Sequence, residues 1–189
     1  DICPGVLSPW DRKMFPLGHV GIALGVGFLI MRYLKSSWDP KLFIIILGVA
    51  SLTPDLIDKP IGPLFGLPFG GRLFAHTLVF AFIVMAVCLV LWLRWSKKGT
   101  AVSMWPLLFS LGVWVHLLLD LSLEGMAVLL WPAYGVAFPS GEFSWGHLTA
   151  SPVAIAGEVV GAIILVYLLV LLLLGRFALA EREDRPDNG

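Results

Sequence analysis

Five stretches of this chain are apolar for about the 20 residues a helix needs to cross the hydrocarbon core of a bilayer, and that pattern constrains everything else. They run approximately from Leu17 to Leu34, Leu42 to Ile57, Leu73 to Trp95, Val102 to Leu121 and Val153 to Leu174. A chain that is 58% hydrophobic and 14% charged has more apolar surface than a soluble core can absorb. The expected fold is therefore all-α, a polytopic membrane bundle of about five transmembrane helices. The second run is the shortest and ends in SLTPDLID, where Pro54 opens a new turn or kinks the old one. That span is expected to tilt or stop near the interface. Met126 to Leu148 is also apolar, but Pro132, Gly135, Pro139, Gly141 and Gly146 interrupt it. It reads as a re-entrant or interfacial loop between the fourth and fifth spans, with Trp131, Tyr134 and Trp145 suited to a membrane–water boundary. Residues 1–175 then form one transmembrane domain and residues 176–189 a charged tail, with neither an internal repeat nor a second domain.

Lysine and arginine orient such a bundle. Arg32, Lys35, Lys41, Arg94, Lys97, Lys98, Arg176, Arg182 and Arg185 fall at one end, against Arg12, Lys13, Lys59 and Arg72 at the other. The richer end is expected to be cytoplasmic, which places the N-terminus outside a cell inner membrane and the C-terminal tail inside. With a net charge of zero and basic residues scattered, no nucleic-acid surface is expected. Cys3 in the polar N-terminal segment and Cys88 in an apolar run make no disulfide framework. The residues before Pro16 show no signal-peptide pattern.

Against this background the polar residues of the spans stand out. In Gly112 to Gly125, GVWVHLLLDLSLEG, His116 and Asp120 lie four apart and so share one helix face. Imidazole and carboxylate one turn apart form a metal-ligand pair of the HxxxD type, and a membrane tolerates them only when their burial is compensated. The plainer alternative is a polar pair hydrogen-bonded inside the bundle. His19 opens the first span, His76 opens the third and His147 precedes the fifth, so all four histidines gather at the non-cytoplasmic end. Asp55, Asp58 and Asp120 gather there too. These are the donors that suit zinc, with manganese as another divalent candidate.

Asp58, three residues after Asp55, is placed on the same helix face as a second ligand or a general base. Arg72 precedes His76 by four and is read either as a clamp for phosphate or carboxylate, or as a snorkelling anchor. Glu158 is the one carboxylate well inside a span. Its expected partner is the imidazole of His116 or His19, or else it is a protonated carboxyl bonded to a neighbouring helix. Gly21 and Gly25 form a GxxxG that favours close helix packing. Glu124 and Glu142 are expected to be solvated.

In order along the chain, PLGHVG, TPDLID, GRLFAHT and HLLLDLSLEG followed by LLWP resemble the motif set of the YdjM-like membrane-bound metal-dependent hydrolases. That family is distantly similar to zinc-dependent phospholipase C and the zinc nucleases. The resemblance implies that Asp55, His76, His116 and Asp120 hold one metal, and that His19, with Asp58 as a further candidate, helps a second bridged by Asp120. It also implies a departure, because the second histidine-rich ligand set of the phospholipases is missing and only His147 stands near its place. One or two ions are therefore expected rather than three.

The function these readings point to is metal-assisted hydrolysis of phosphoesters, lipid-linked ones above all, at the outer membrane face. Two alternatives stay open: a non-catalytic subunit of a membrane complex with a structural metal site, and a proton or metal transporter. A transporter relay would spread polar groups through the bilayer depth, whereas only Glu158 lies deep.

Overall fold

The structure is a computed structural model that describes residues 16–34, 39–64, 72–96, 104–121, 126–133 and 152–177. Its described residues are helical throughout, in the order α1 (Pro16–Tyr33), α2 (Pro40–Leu64), a 3-10 turn (Phe74–His76), α3 (Leu78–Ser96), α4 (Trp105–Leu121), α5 (Met126–Leu129) and α6 (Pro152–Leu173). By length and composition α1, α2, α3 and α6 can each cross a membrane. The fifth expected span is the exception, since α4 has 17 residues and rises about 25 Å. Pro106 sits in its first turn, where a missing N–H costs nothing.

α4 is the centre of the bundle. It packs against α1, α2 and α3, and α6 closes the outside of α1. Small residues set two of these crossings. A methyl group on Gly161 would stand 2.6 Å from the Cα of Gly18 and from the carbonyl oxygen of Leu17, so α6 rests directly on the backbone of α1. Gly21 meets the Gly161 backbone and Gly25 packs on Ile164, which is the close approach the GxxxG predicts. On the other side, Gly112 brings α4 against Ala50 and Ser51 of α2, one turn before His116.

Two spans have different limits from those expected. α2 continues through Pro54 to Leu64 instead of stopping at Ile57. Its start is well fixed, because the Asp39 side chain accepts from the Lys41 amide at 2.9 Å and Pro40 supplies the first helical φ. α3, by contrast, starts at Leu78 rather than Leu73. Thr77 accepts from the Phe80 amide through its hydroxyl at 3.1 Å and caps the helix, which leaves His76 in the 3-10 turn ahead of it.

The end of the bundle away from the histidines is apolar, with Leu24, Phe28, Phe43, Leu47 and Leu168 buried together. Phe177 joins them, 5.2 Å from Phe28 and 6.0 Å from Phe43 between ring centroids. The chain reaches it through a Schellman turn, in which Arg176 N–H bonds Leu171 O, Gly175 N–H bonds Leu172 O and Gly175 takes a φ of 64°. The folded unit thus includes Arg176 and Phe177, the first two residues of the stretch assigned to the tail. Among residues 126–148 only α5 and the turn to Ala133 are described; His147, Tyr134, Trp145 and Glu142 lie outside the described residues, as does Glu124.

The α1–α6 contact gives a direct test. Gly161→Ala should lower the thermal midpoint of the purified protein by a few degrees, for a cost of about 1–3 kcal/mol. Gly48→Ala, whose added methyl meets nothing within 4 Å, should leave the midpoint unchanged or slightly raised in the same measurement.

Candidate metal centre

Four segments bring their polar residues to one place. His19 comes from the first turns of α1, Asp55 and Asp58 from the later half of α2, Arg72 and His76 from the segment leading into α3, and His116 and Asp120 from the last turns of α4. His19, Asp58, His76, His116 and Asp120 are all buried. Charges removed from water must be paired, so the partners decide what the cluster is.

His76 is held at both ring nitrogens by one helix. Its Nδ1 lies 2.7 Å from Asp58 Oδ2, and its Nε2 lies 3.5 Å from Asp55 Oδ1. Asp58 also accepts from the Leu73 amide at 2.8 Å and from the Ala75 amide at 3.1 Å. Three donors thus converge on a carboxyl group that is 1% exposed, and because its oxygens accept, His76 Nδ1 is the nitrogen that carries the hydrogen. This corrects the expectation for Asp58. It stands behind His76 and fixes the turn that carries it, instead of facing an ion or a water. Burial works against the charged imidazolium, yet the bonds to Asp55 and Asp58 outweigh it and raise the His76 pKa above the ordinary histidine value.

His116 is oriented by the main chain. Its Nδ1 lies 2.6 Å from Ser51 O, and since a carbonyl can only accept, Nδ1 carries the hydrogen. Pro54 has no N–H to give to the Ala50 carbonyl, one residue before the Ser51 carbonyl that meets His116. Nε2 of His116 is then a lone pair, 3.3 Å from Nε2 of His76 and 3.2 Å from Asp120 Oδ2. His76 Nε2 and Asp120 Oδ2 are 3.4 Å apart. Asp120 Oδ2 is buried without a hydrogen-bond partner among the described residues.

Four acceptor atoms therefore face one another: Asp55 Oδ1, His76 Nε2, His116 Nε2 and Asp120 Oδ2. Their lone pairs repel unless positive charge lies between them. A proton on His76 is one source of that charge, and a divalent cation is the other. In a tetrahedral zinc site with ligands at 2.0–2.1 Å the donor atoms stand about 3.3 Å from one another. The three separations among His76, His116 and Asp120, at 3.2, 3.3 and 3.4 Å, are close to that edge, and Asp55 Oδ1 joins the set 3.5 Å from His76 Nε2. Donor atoms of Asp55, His76 and His116 all lie within 4.8 Å of one another, as do those of His19, His116 and Asp120. The residues present fit a divalent ion.

Asp55 and Asp120 are each paired on the oxygen that points away from this group of acceptors. Asp55 Oδ2 accepts from Lys59 Nζ at 2.7 Å, and Asp120 Oδ1 lies 3.0 Å from both Arg72 Nη2 and His19 Nε2. Arg72 is drawn inward, its side chain 12% exposed, so it pairs with Asp120 rather than snorkelling. Helical spacing has no part in this, because Arg72 lies ahead of the 3-10 turn and α4 supplies its partner. Glu158 accepts from the Gly18 amide at 3.1 Å, in the first turn of α1 next to His19. Of the two expected partners, an imidazole or a neighbouring helix, this bond is of the second kind, and it satisfies an otherwise open helix-end N–H of α1. Lys59, Ser51 and Gly18 were not singled out from the sequence. Only Lys59 had a signal there, four residues after Asp55 on the same helix.

Fold and cluster define a class: a multi-pass helical membrane protein with a buried histidine–aspartate centre at one end of the bundle. Within that class, the sequence model of the YdjM inner membrane protein family matches residues 14–182, and the chain belongs to this family. It is also 36% identical over 80 residues to the inner membrane protein YbcI of Escherichia coli (strain K12), a match covering 41% of this chain and 45% of that protein. The chain thus aligns with less than half of the length of this curated relative. No solved structure matches it. The protein is an integral inner membrane protein.

The two aspartate pairings predict opposite outcomes. Asp58→Ala strands three buried donors and should cost at least about 3 kcal/mol. Lys59→Ala, which removes an i,i+4 pair whose lysine is 57% exposed, should cost less than about 1 kcal/mol. Thermal unfolding of both variants in one detergent checks the contrast.

Proposed function

We propose that this protein is a membrane-embedded, metal-dependent hydrolase of phosphoesters, with lipid-linked esters as the substrate class. The observation that carries the reading is the convergence of acceptor atoms from His76, His116 and Asp120, all buried and separated by about the edge of a zinc tetrahedron, with Asp55 beside His76. Asp55, His76, His116 and Asp120 would hold the ion, and His19 with Asp120 and His116 offers a second position beside it. Zinc suits this nitrogen–oxygen set best, with manganese as the other candidate.

A divalent ion bound there supplies Lewis acidity and makes water a competent nucleophile near neutral pH. The chain's own residues do the rest. Asp58 and Ser51 O set the tautomers of His76 and His116, so that both present Nε2 to the centre. Lys59 and Arg72 already offset the charges of Asp55 and Asp120, so a divalent ion leaves the centre with positive charge that favours an anionic group. Arg72 adds a guanidinium, the group suited to a phosphate or carboxylate. The excess of basic residues at the opposite end of the helices supports a centre on the non-cytoplasmic face, with the N-terminus outside and the C-terminus in the cytoplasm.

One observation favours a second reading. Four protein donors complete a tetrahedron, and a closed shell is the mark of a structural site in a non-catalytic subunit. Against it stand His19 and Arg72, which a structural ion does not need. Purified protein should carry about one zinc per chain or more. His116→Ala should lose it while keeping its helical circular dichroism. Chelation should abolish hydrolysis of bis(p-nitrophenyl) phosphate and zinc should restore it. A metal-loaded protein inert toward every phosphoester would favour the structural reading, and full activity without metal would overturn the proposal.

A further inference from the structure

Far from the polar cluster, α2, α3 and α4 leave a cavity of about 430 Å³ between them, a size typical of ligand pockets. Val84, Cys88, Leu91 and Trp95 run down one side of it at three- and four-residue steps along α3, and Trp105 and Phe109 of α4 face them. Every one of these side chains is apolar or aromatic, so only hydrocarbon gains by entering. The cavity is not a branch of the metal centre. Phe109 precedes His116 by seven residues, about 10 Å along the helix, and the buried cluster of Ala81, Val113 and Leu117 belongs to the α3–α4 contact in that interval.

Its far end has a different character. Trp95 and Trp105, side chains that favour the headgroup level of a bilayer, mark it there. Arg94 lies three residues after Leu91, on the same side of α3, and is exposed. Lys97 and Lys98 follow directly in the sequence. A basic group at the mouth of an apolar space between transmembrane helices is the arrangement that holds an anionic lipid.

We infer that this cavity binds one acyl chain of an anionic phospholipid, whose phosphate lies against Arg94 at the end of the bundle remote from the metal centre. The tail fills the space that the short α4 leaves beside α3, and the headgroup pairs with the basic end of that helix. Nothing in the inference depends on the metal centre or on catalysis. A zwitterionic lipid offers the same tail but no net charge to the arginine, so the occupant is the anionic class.

Thermal unfolding in nanodiscs of phosphatidylcholine, with and without phosphatidylglycerol, tests it on the full chain. Phosphatidylglycerol should raise the midpoint of the unaltered protein by about 4 °C, as expected for a ligand that binds only the folded state. Val87→Trp, which fills the cavity from a half-exposed position, and Arg94→Gln, which removes an exposed charge, should each lose at least half of that rise. His116→Ala should keep it. No rise in the unaltered protein overturns the inference, and so does the same rise in all variants. Phosphatidylglycerol retained by the unaltered protein in native mass spectrometry, and lost from Arg94→Gln, supports it independently of stability.

Discussion

Charge placed where water cannot solvate it has to be answered by other charge, and in this bundle that requirement gathers four segments at one point. Asp120 sits among His19, Arg72, His76 and His116, while Asp55 and Asp58 take opposite edges of His76. No two of these groups are neighbours in sequence except along α2 and α4. Apart from the His116–Asp120 contact within α4, these bonds tie one helix to another, and the cluster acts as the polar clasp of a bundle whose other end is held by apolar packing.

The two ends divide the work. Around Phe28, Phe43 and Phe177 the helices are joined by contacts that do not depend on direction, and many repackings would serve. At the polar end, hydrogen-bond geometry fixes each side chain. Close glycine contacts link the two regimes, since Gly112 sets α4 against α2 at the height where His116 finds Ser51 O. The crossing angle of two helices thus becomes the orientation of one imidazole.

Much of this was legible from residue order. Length and hydropathy gave the helices, and the periodicity of four between His116 and Asp120 gave half of the cluster. That His19, Asp55 and His76 would join it followed from their sharing one end of the bundle. The errors came where local geometry departs from a regular helix. His76 and Arg72 were put on one helical face, but Thr77 caps α3 after them and the turn ahead is 3-10. Asp58 was read as a ligand because a carboxylate's open lone pairs are assumed until amides are found on them, and Leu73 and Ala75 supply those amides from a segment with no pattern of its own. For Glu158 residue order leaves an imidazole and a neighbouring helix both open, since the Gly18 amide of α1 that it meets is a backbone group no sequence pattern displays. The carbonyl that orients His116 was hidden for the same reason.

The two central imidazoles are thereby held by supports of different permanence. His76 depends on a carboxylate that a single base change can replace, so its basicity and pose are open to adjustment from position 58. His116 leans on a main-chain oxygen, which every amino acid at position 51 would still provide. Drift in the gene can retune one nitrogen of the pair while the other stays as the fixed reference, and any new chemistry that descends from this scaffold would have to be arranged around it.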